Sequence, residues 1–288
     1  MTLIVPFISE EFVALASDRR ITWQIGGASK RWEDTENKTV VLAGHFLMGY
    51  TGFARLGGVK TEQWVVEKLV GVDPSSYFGV LEAEAEAAVR VMKEPLERTG
   101  HAFVAVGYGR FRTDPGAVHP TAVTVSNALG DGEYGRWAPV PQFSAQRIPP
   151  LRGPDDFRLS AFGTPPPRRV VDETVDLIRR YKKRHPGRAL GVLQLMVDLV
   201  RQVAAGSDGV SRDVSVSVLP RAAVPADAVQ MPVVSRLVPE PIETLTCMFV
   251  PEGSNAEHAE VYVPASVGPA MASFGGEIWS KKPPWWKS

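Results

Sequence analysis

Thr2 stands directly behind the initiator methionine, where its type and position could provide a self-contained nucleophile. Removal of Met1 would leave the threonine hydroxyl beside a free α-amino group, and a small residue at position 2 permits that removal. An α-amino group has an ordinary pKa of about 8, so it accepts a hydroxyl proton near neutral pH. Pairing threonine with an N-terminal amine is a known way to activate the hydroxyl. Thr2 alone is weak evidence, so the hypothesis depends on residues elsewhere.

Three residues downstream have the types needed to activate this hydroxyl: Asp18, Lys38 and Gly52. A lysine near the threonine oxygen lowers the pKa of the hydroxyl and helps to move its proton, and an aspartate keeps the lysine charged. A glycine lets its backbone N–H approach a developing oxyanion without obstruction. Asp208 and Ser211 form a D-x-x-S element whose side chains could orient the terminal amine.

Each of these residues also has an ordinary structural explanation. Asp18 beside two arginines is typical of a turn with a surface ion pair, and Lys38 at a strand start is typical of a solvated edge. Gly52 fits a bend, while Asp208 and Ser211 fit loop groups that bind backbone donors. The catalytic hypothesis rests on their joint occurrence, in order and at suitable spacing.

Two predicted hairpins would carry these residues. An N-terminal hairpin over residues 2–17, with a polar turn between two apolar β-rich runs, begins at Thr2 and ends beside Asp18. A second hairpin over residues 39–51 has Gly44-His45 at its turn. It lies between the lysine and the glycine of the proposed site.

The remaining pattern predicts the fold class. Helical periodicity and end signals predict helices at residues 59–70, 74–98, 168–184 and 189–205. Apolar β-rich runs predict strands at residues 102–106, 122–125, 143–148, 157–162, 214–219, 244–250 and 259–263. Region 114–154 is rich in glycine and proline and is expected to consist mainly of loops. This order favours an α+β fold, a four-layer αββα sandwich of two antiparallel sheets flanked by helix pairs.

The composition changes near residue 220. We expect residues 1–220 to form the main domain and residues 221–288 to form a proline-rich C-terminal extension with short strands. The end of this extension, residues 281–288, is expected to be disordered despite its two neighbouring tryptophans.

Five features together resemble the N-terminal nucleophile (Ntn) hydrolase superfamily, and within it the proteasome β-subunit and HslV-type threonine peptidases. They are Thr2, "ALASDRR" at 14–20, Lys38, "GYTGFA" at 49–54 and "SDGVS" at 207–211. The spacings from nucleophile to aspartate and from lysine to glycine agree with the family pattern. An insertion near residues 26–33 interrupts it, and the resemblance spans roughly residues 2–220.

The resemblance implies a role for each matching residue. Thr2 would be the nucleophile and its amine the base, with Lys38 and Asp18 as the activating pair. Gly52 would donate the hydrogen bond to the oxyanion. Activation by removal of Met1 would follow the HslV-like route.

Three further residues would support the terminal amine by the same resemblance. They are Asp208, Ser211 and Thr164, the last in "SAFGT" where the family usually has a serine. Tyr50 falls where the family lines the pocket for the substrate side chain, so its bulk is expected to narrow that pocket. The resemblance also implies a homo-oligomer and no metal or organic cofactor, and it leaves an unfoldase partner open.

Composition excludes several other classes. Lysine plus arginine number 32 and aspartate plus glutamate number 32, so the chain gives no reason to expect a nucleic-acid or anionic-membrane partner. The single cysteine, Cys247, cannot form an internal disulfide, and the five histidines show no metal-ligand spacing. The sequence predicts no transmembrane span and no signal peptide, so we expect a cytoplasmic protein.

Two functional hypotheses of different classes follow. The first is an N-terminal threonine amidohydrolase that acts on peptides, or on a small amide, through an acyl-enzyme ester. The second is a catalytically inactive scaffold or binding module, in which residues 220–243 and the tryptophan-bearing tail would be the working parts. Retention of Met1 would exclude the first hypothesis, because it blocks the amine.

Overall fold

The structure is a computed structural model, and it describes residues 2–25, 29–91, 100–111, 114–129, 138–149, 151–153, 155–221, 242, 244–274 and 277–279. The described residues form a mixed α+β fold with two large sheets and four α-helices. The strands are β1 (Leu3–Ser9), β2 (Phe12–Asp18), β3 (Ile21–Ile25), β4 (Ser29–Glu33), β5 (Thr39–Leu42), β6 (Phe46–Thr51), β7 (Arg55–Leu56), β8 (Val59–Lys60), β9 (Ala102–Phe111), β10 (Asp114–Leu129), β11 (Ala138–Arg147), β12 (Phe157–Leu159), β13 (Phe162–Gly163), β14 (Val214–Pro220), β15 (Thr246–Val250), β16 (Glu260–Val261), β17 (Ala265–Val267), β18 (Ala272–Phe274) and β19 (Glu277–Trp279). The helices are α1 (Thr61–Leu69), α2 (Tyr77–Val91), α3 (Arg168–Arg184) and α4 (Leu190–Ala205).

The first sheet contains the N-terminal hairpin and has the strand order β12-β1-β2-β14-β15-β16, with β13 also paired to β1. Every residue of β1 and β2 is buried, so these strands lack the alternation of a half-exposed sheet. The pairing of β2 with β14 sets Asp18 opposite Val214. This register brings the chain just after the D-x-x-S element to the end of β2.

The second sheet has the order β11-β10-β9-β6-β5-β17-β18-β19. Its central hairpin, β5 and β6, pairs antiparallel from Thr39 with Gly49 to Leu42 with Phe46. The pairing of β5 with β17 is parallel, whereas the other neighbours in this sheet are antiparallel. Two small hairpins, β3–β4 and β7–β8, stand outside the large sheets.

Helix positions follow local signals in the chain. The helix predicted at 168–184 is α3, which begins after a proline run and carries three basic residues in its last turn. The helix predicted at 189–205 is α4, and Gly206 is its C-cap. The predicted helix at 74–98 corresponds to a 3₁₀ turn at Pro74–Ser76 followed by α2, and residues 92–99 lie outside the described part of the chain.

Three hydrophobic cores hold these elements together. One joins the first sheet to α3 and α4, with Val5, Ala14 and Met196 among its members. Another joins the second sheet to α1 and α2, with Met48, Phe103 and Trp64 among its members. The third lies between residues of the two sheets, and includes Ile4, Leu15, Val41 and Val104.

The expectation that region 114–154 consists mainly of loops is wrong. Strands β10 and β11 occupy much of it, and β10 pairs with β9 along ten register positions from Asp114 to Ser126. The prolines of β11 are tolerated because β11 is the edge strand of its sheet, where a missing N–H need not break a ladder. The glycines and prolines therefore gave a misleading signal.

The predicted division at residue 220 does not separate the two sheets. Strands β15 and β16 extend the first sheet beyond β14, and β17 to β19 extend the second beyond β5. The short strands expected in region 221–288 are thus integral parts of both sheets. The proline-rich residues 222–241 and the tail at 280–288 lie outside the described residues.

Candidate active site

The two sheets meet at a cluster built around Thr2, Asp18 and Lys38. Thr2 directly precedes β1, Asp18 ends β2, and Lys38 directly precedes β5 of the other sheet. The antiparallel register of Ile4 with Ser17 places the start of β1 beside the end of β2. Residues 36 positions apart in sequence therefore come into contact at the same edge of the fold.

Lys38 contacts the Thr2 hydroxyl directly. Its Nζ lies 3.0 Å from Thr2 Oγ1, 3.3 Å from an Asp18 carboxylate oxygen and 2.6 Å from the Arg20 carbonyl oxygen. Lys38 is only 1% exposed, and an ammonium group has three donors, so these three acceptors satisfy it. Burial lowers the pKa of Lys38 from its ordinary value, and the charge of Asp18 opposes that shift. One of the three hydrogen bonds of the lysine is therefore donated to the threonine oxygen.

Asp18 is fully buried, and four donors surround its carboxylate. The backbone N–H groups of Leu3, Arg20 and Ser211 donate to it at 2.8, 3.0 and 3.3 Å, and Lys38 completes the set. A buried carboxylate is tolerated only when it is paired and hydrogen-bonded, and this one meets both conditions. Asp18 thus fixes the lysine, the strand that follows Thr2 and the loop that contains Ser211.

The Thr2 carbonyl accepts two hydrogen bonds and has a glycine in close approach. The Thr164 N–H donates to the Thr2 carbonyl at 2.9 Å, and the Thr51 hydroxyl donates to the same oxygen at 3.3 Å. Gly163 has a φ of 94°, and a Cβ there would lie 1.8 Å from the Thr2 carbonyl oxygen. Glycine is therefore the residue that this close approach permits. Gly163 was not identified from the sequence, since it directly follows the strand predicted at 157–162 and nothing in the sequence indicates its contact with Thr2.

Gly52 directly follows Thr51 and is exposed beside the cluster. Its φ is 102°, and a Cβ there would lie 2.5 Å from the Gly100 carbonyl oxygen and 2.8 Å from His101. The fold itself therefore requires glycine at this position, in addition to any need of an oxyanion. His101 in turn accepts a hydrogen bond from the Phe53 N–H through Nδ1 at 2.9 Å, which fixes the turn after Gly52.

The remaining predicted residues occupy different positions. Thr164 is 8% exposed, and its hydroxyl has no hydrogen-bond partner among the described residues. Ser211 is buried, and its side-chain oxygen accepts from the Asp213 N–H at 3.1 Å. Asp208 is exposed, and its backbone carbonyl accepts from Arg20 at 2.7 Å. The structure thus brings Thr164 and Ser211 close to the buried cluster and sets the Asp208 side chain at the surface.

An ion pair that sequence reasoning missed adjoins this cluster through Arg20, whose carbonyl binds Lys38. Arg20 binds Asp34 through two parallel hydrogen bonds of 2.8 and 2.7 Å. The hydrogen bond with Arg20 is the main cause that lowers the pKa of Asp34. The hairpin β3–β4 pairs Ile21 with Glu33, so Arg20 and Asp34 lie at its base. Opposite charges that flank the inserted segment were the sequence signal for this pair.

Tyr50 contacts Glu62 inside the second core. Its hydroxyl donates to Glu62 Oε2 at 2.6 Å, and the side chain is 2% exposed. Burial raises the pKa of Tyr50 well above its ordinary value and is the main cause that raises the pKa of Glu62 to about 7. The hydroxyl of Tyr50 therefore donates to a carboxyl group in the first turn of α1.

The described residues contain no group of three or more histidine, cysteine, aspartate or glutamate side chains arranged to hold a metal ion. Cys247 is a free, buried thiol. Among the described helices, none combines the length and the apolar character needed to cross a membrane. The state of the Thr2 amine depends on Met1, which lies outside the described residues.

Comparisons with known proteins give little further information. No protein-family profile and no curated protein matches this chain. Among solved structures, the chain is similar to the Anbu (Gly-1) mutant from Hyphomicrobium sp. strain MC1, at 12% sequence identity and a TM-score of 0.44. That similarity covers 76% of this chain and 83% of the other. The functional argument therefore rests on the geometry of the site.

Proposed function

We propose that this chain is an N-terminal threonine hydrolase, in which Thr2 attacks an amide carbonyl after Met1 has been removed. One observation carries the proposal: the buried Lys38 Nζ lies 3.0 Å from Thr2 Oγ1. A structural lysine at a strand start would be solvated, whereas this one is buried against a hydroxyl and a carboxylate. Burying an ammonium group costs free energy, and buried ionisable groups with shifted pKa values are frequent at active sites. The contact of this ammonium group with a potential nucleophile therefore supports a catalytic site.

The reaction would proceed by two proton-balanced steps. The Thr2 hydroxyl proton passes to the α-amine while Oγ1 bonds to the carbonyl carbon, which forms a tetrahedral oxyanion. The resulting ammonium gives its proton to the leaving amine as the carbon–nitrogen bond breaks, which leaves an acyl ester on Thr2. Water then attacks this ester while the same amine takes its proton. The resulting ammonium returns that proton to Oγ1 as the carbon–oxygen bond breaks, which releases the acid and restores Thr2.

Two groups would assist these steps. Lys38 donates to Oγ1 and, with its pKa lowered by burial, lowers the barrier to proton movement at that oxygen. The N–H of Gly52 would bind the oxyanion, because Gly52 is exposed beside Thr51 and carries no side chain. We assign both residues catalytic roles.

The other residues would act by positioning. Asp18 holds Lys38 and the N–H of Leu3, and the Arg20–Asp34 pair holds the loop that carries Asp208. The Thr164 hydroxyl, which has no partner among the described residues, would accept a hydrogen bond from the terminal ammonium. Ser211 would support the same region through its backbone contact with Asp18.

We propose the four-layer αββα arrangement as the scaffold of this site. The order of the three cores supports it: α3 and α4 pack on the first sheet, the two sheets share a core, and α1 and α2 pack on the second. In this arrangement the cluster lies where the two sheets meet. A peptide or a small amide would be the substrate class.

The proposal is tested by mass spectrometry and covalent labelling. Intact mass should show loss of Met1, and a peptide epoxyketone should form an adduct on the peptide that begins at Thr2, since that reagent needs both a hydroxyl and a free amine. Thr2→Ser should keep the labelling and Thr2→Ala should abolish it, while Thr35→Ala, on an exposed threonine, should leave it unchanged. Retained Met1, or labelling that survives Thr2→Ala, would overturn the mechanism in favour of a scaffold.

A further inference from the structure

His101 is a buried histidine that the proposed mechanism leaves without a role. It directly precedes β9 and is 0% exposed. Its ring stacks on Phe53, with centroids 5.6 Å apart, and meets the ring of Phe103 edge to face at 4.6 Å. Burial lowers the pKa of His101 to about 3, so the ring stays neutral near neutral pH. A neutral imidazole keeps one nitrogen that can accept a hydrogen bond.

The backbone decides which nitrogen of His101 is the acceptor. The Phe53 N–H donates to Nδ1 at 2.9 Å, so Nε2 carries the ring hydrogen. Nε2 is buried and has no hydrogen-bond partner among the described residues, which costs free energy. The bond at Nδ1 is therefore what this side chain contributes beyond its packing.

That bond acts on the peptide group that follows Gly52. The Phe53 N–H belongs to the Gly52–Phe53 peptide, so the bond fixes the plane of this peptide. On the other side of the glycine, Thr51 pairs with Ala102, and its hydroxyl donates to the Thr2 carbonyl. The peptide groups on both sides of Gly52 are thus held, and the direction of the Gly52 N–H depends on both.

A glycine needs such support if its N–H is to keep one direction. Gly52 has a φ of 102°, and glycine visits several backbone conformations at little cost. A Cβ at Gly52 would lie 2.8 Å from His101 Nδ1, so the imidazole packs directly against this residue. The ring therefore restrains the glycine both by contact and through the Phe53 N–H.

The main chain of His101 is itself fixed by β10. Its N–H donates to Asn127 Oδ1 at 2.7 Å, and its carbonyl accepts from the Asn127 N–H at 3.2 Å and from the Ser126 hydroxyl at 3.0 Å. Asn127 is 0% exposed. The imidazole is therefore anchored on the second sheet and can set the position of the turn beside it.

We propose that His101 is a positioning residue for the oxyanion site, in which Nδ1 holds the Gly52–Phe53 peptide so that the Gly52 N–H meets the developing oxyanion. This inference rests on the proposed function, because it assigns the Gly52 N–H to that oxyanion. A donor that is held in place before the reaction stabilises the transition state without reorganisation. His101 touches no substrate in this role and transfers no proton.

The test measures the rate at which a peptide epoxyketone labels Thr2, since attack on its ketone also forms an oxyanion. Intact mass against time and concentration gives kinact and KI. His101→Phe keeps an aromatic ring but removes the acceptor, so kinact should fall about 10- to 100-fold while KI stays within about threefold.

His101→Asn is the rescue variant, because its Oδ1 can lie near the position of Nδ1 and accept from the Phe53 N–H. Its kinact should stay within about threefold of the unsubstituted protein, although the ring is lost. A role in packing alone predicts the reverse order, since phenylalanine fills the site better than asparagine. His45→Phe, at a half-buried histidine directly before β6, should leave kinact within about twofold.

Hydrogen exchange of the Phe53 amide gives a readout that does not depend on activity. In the unsubstituted protein and in His101→Asn, this amide should exchange slowly, as a buried and bonded N–H does. In His101→Phe its exchange should be at least about tenfold faster. Circular dichroism shows whether each variant is folded.

The outcomes separate this role from the proposed function. If the unsubstituted protein is not labelled at Thr2, the proposed function is refuted and this role with it. If labelling occurs but His101→Phe reacts as fast as His101→Asn, or only KI changes, this role alone is overturned. Should His101→Phe not fold, a large loss of kinact in folded His101→Asn, or fast exchange of the Phe53 amide in the unsubstituted protein, would overturn it equally.

Discussion

Replacing Lys38 with methionine tests the buried cluster most directly. Methionine keeps a long apolar side chain but removes the Nζ contacts with Thr2, Asp18 and the Arg20 carbonyl. Removing one partner of a buried ion pair typically costs about 3–5 kcal/mol, because the other charge remains buried. Three backbone N–H groups still bind Asp18, so we expect the low end of that range, about 3 kcal/mol.

The effect on catalysis should be separable from the effect on stability. If Lys38 assists proton movement at Oγ1, kcat/KM for an amide substrate should fall by about 10²- to 10⁴-fold under conditions where the variant is fully folded. Denaturant unfolding monitored by circular dichroism gives the stability change, and steady-state kinetics gives the activity.

The chain offers a matched control for this substitution. Lys68 pairs with Glu84 at 2.6 Å, and the two side chains are 37% and 40% exposed. Lys68→Met should therefore cost about 1 kcal/mol or less and leave kcat/KM within a fewfold of the unsubstituted protein. If the two variants proved equally stable, or if Lys38→Met kept full activity, the reasoning about the buried lysine would be wrong.

Three further predictions concern positions outside that contact. Because the pKa of Glu62 is raised to about 7, the folded state holds its proton more tightly than the unfolded state, so the free energy of unfolding should fall by up to about 3 kcal/mol as pH rises from 4.5 to 7. Glu62→Gln should flatten urea-unfolding stability across that range, and an unchanged slope would contradict the assignment. Tyr108→Phe should raise the free energy of unfolding by about 1 kcal/mol, because it removes a buried hydroxyl that has no partner among the described residues. A clear decrease in the same measurement would mean that the hydroxyl has a partner. Gly163→Ala should lower the free energy of unfolding by about 3 kcal/mol or more, since its Cβ would meet the Thr2 carbonyl. The same variant should lose epoxyketone labelling at Thr2. Gly187→Ala is the control, because Gly187 also has a positive φ but a Cβ there would meet nothing within 4 Å. This variant should lower the free energy of unfolding, measured in urea for both, by only about 1–2 kcal/mol. Equal losses in the two variants would refute the steric argument.

Several elements could be predicted from local signals in the chain. The prolines before Arg168 and the Pro186-Gly187 pair after Arg184 bound α3 because proline and glycine disfavour helix continuation. The N-terminal hairpin was predictable because two apolar β-rich runs flank a polar turn. These features depend on residues that are neighbours in sequence.

Other elements could be predicted only in part. The strands predicted at 122–125 and 143–148 lie largely within β10 and β11, but the full length of these strands depends on the pairing of β10 with β9 and of β11 with β10. The strands predicted at 244–250 and 259–263 correspond to β15 and β16, whereas β17 to β19 were not predicted and extend the second sheet from the edge that β5 offers. Tertiary pairing overrides local propensity at such positions.

The sequence by itself determined which chemical groups are available and in what order: a threonine behind Met1, then Asp18, Lys38 and Gly52, carried on predictable hairpins. Only the tertiary structure decided that the lysine amine reaches the threonine oxygen at 3.0 Å. It also decided that Gly163 lies against the Thr2 carbonyl. The physical reason is that these contacts join strands distant in sequence, whose register and burial are set by packing of the whole chain.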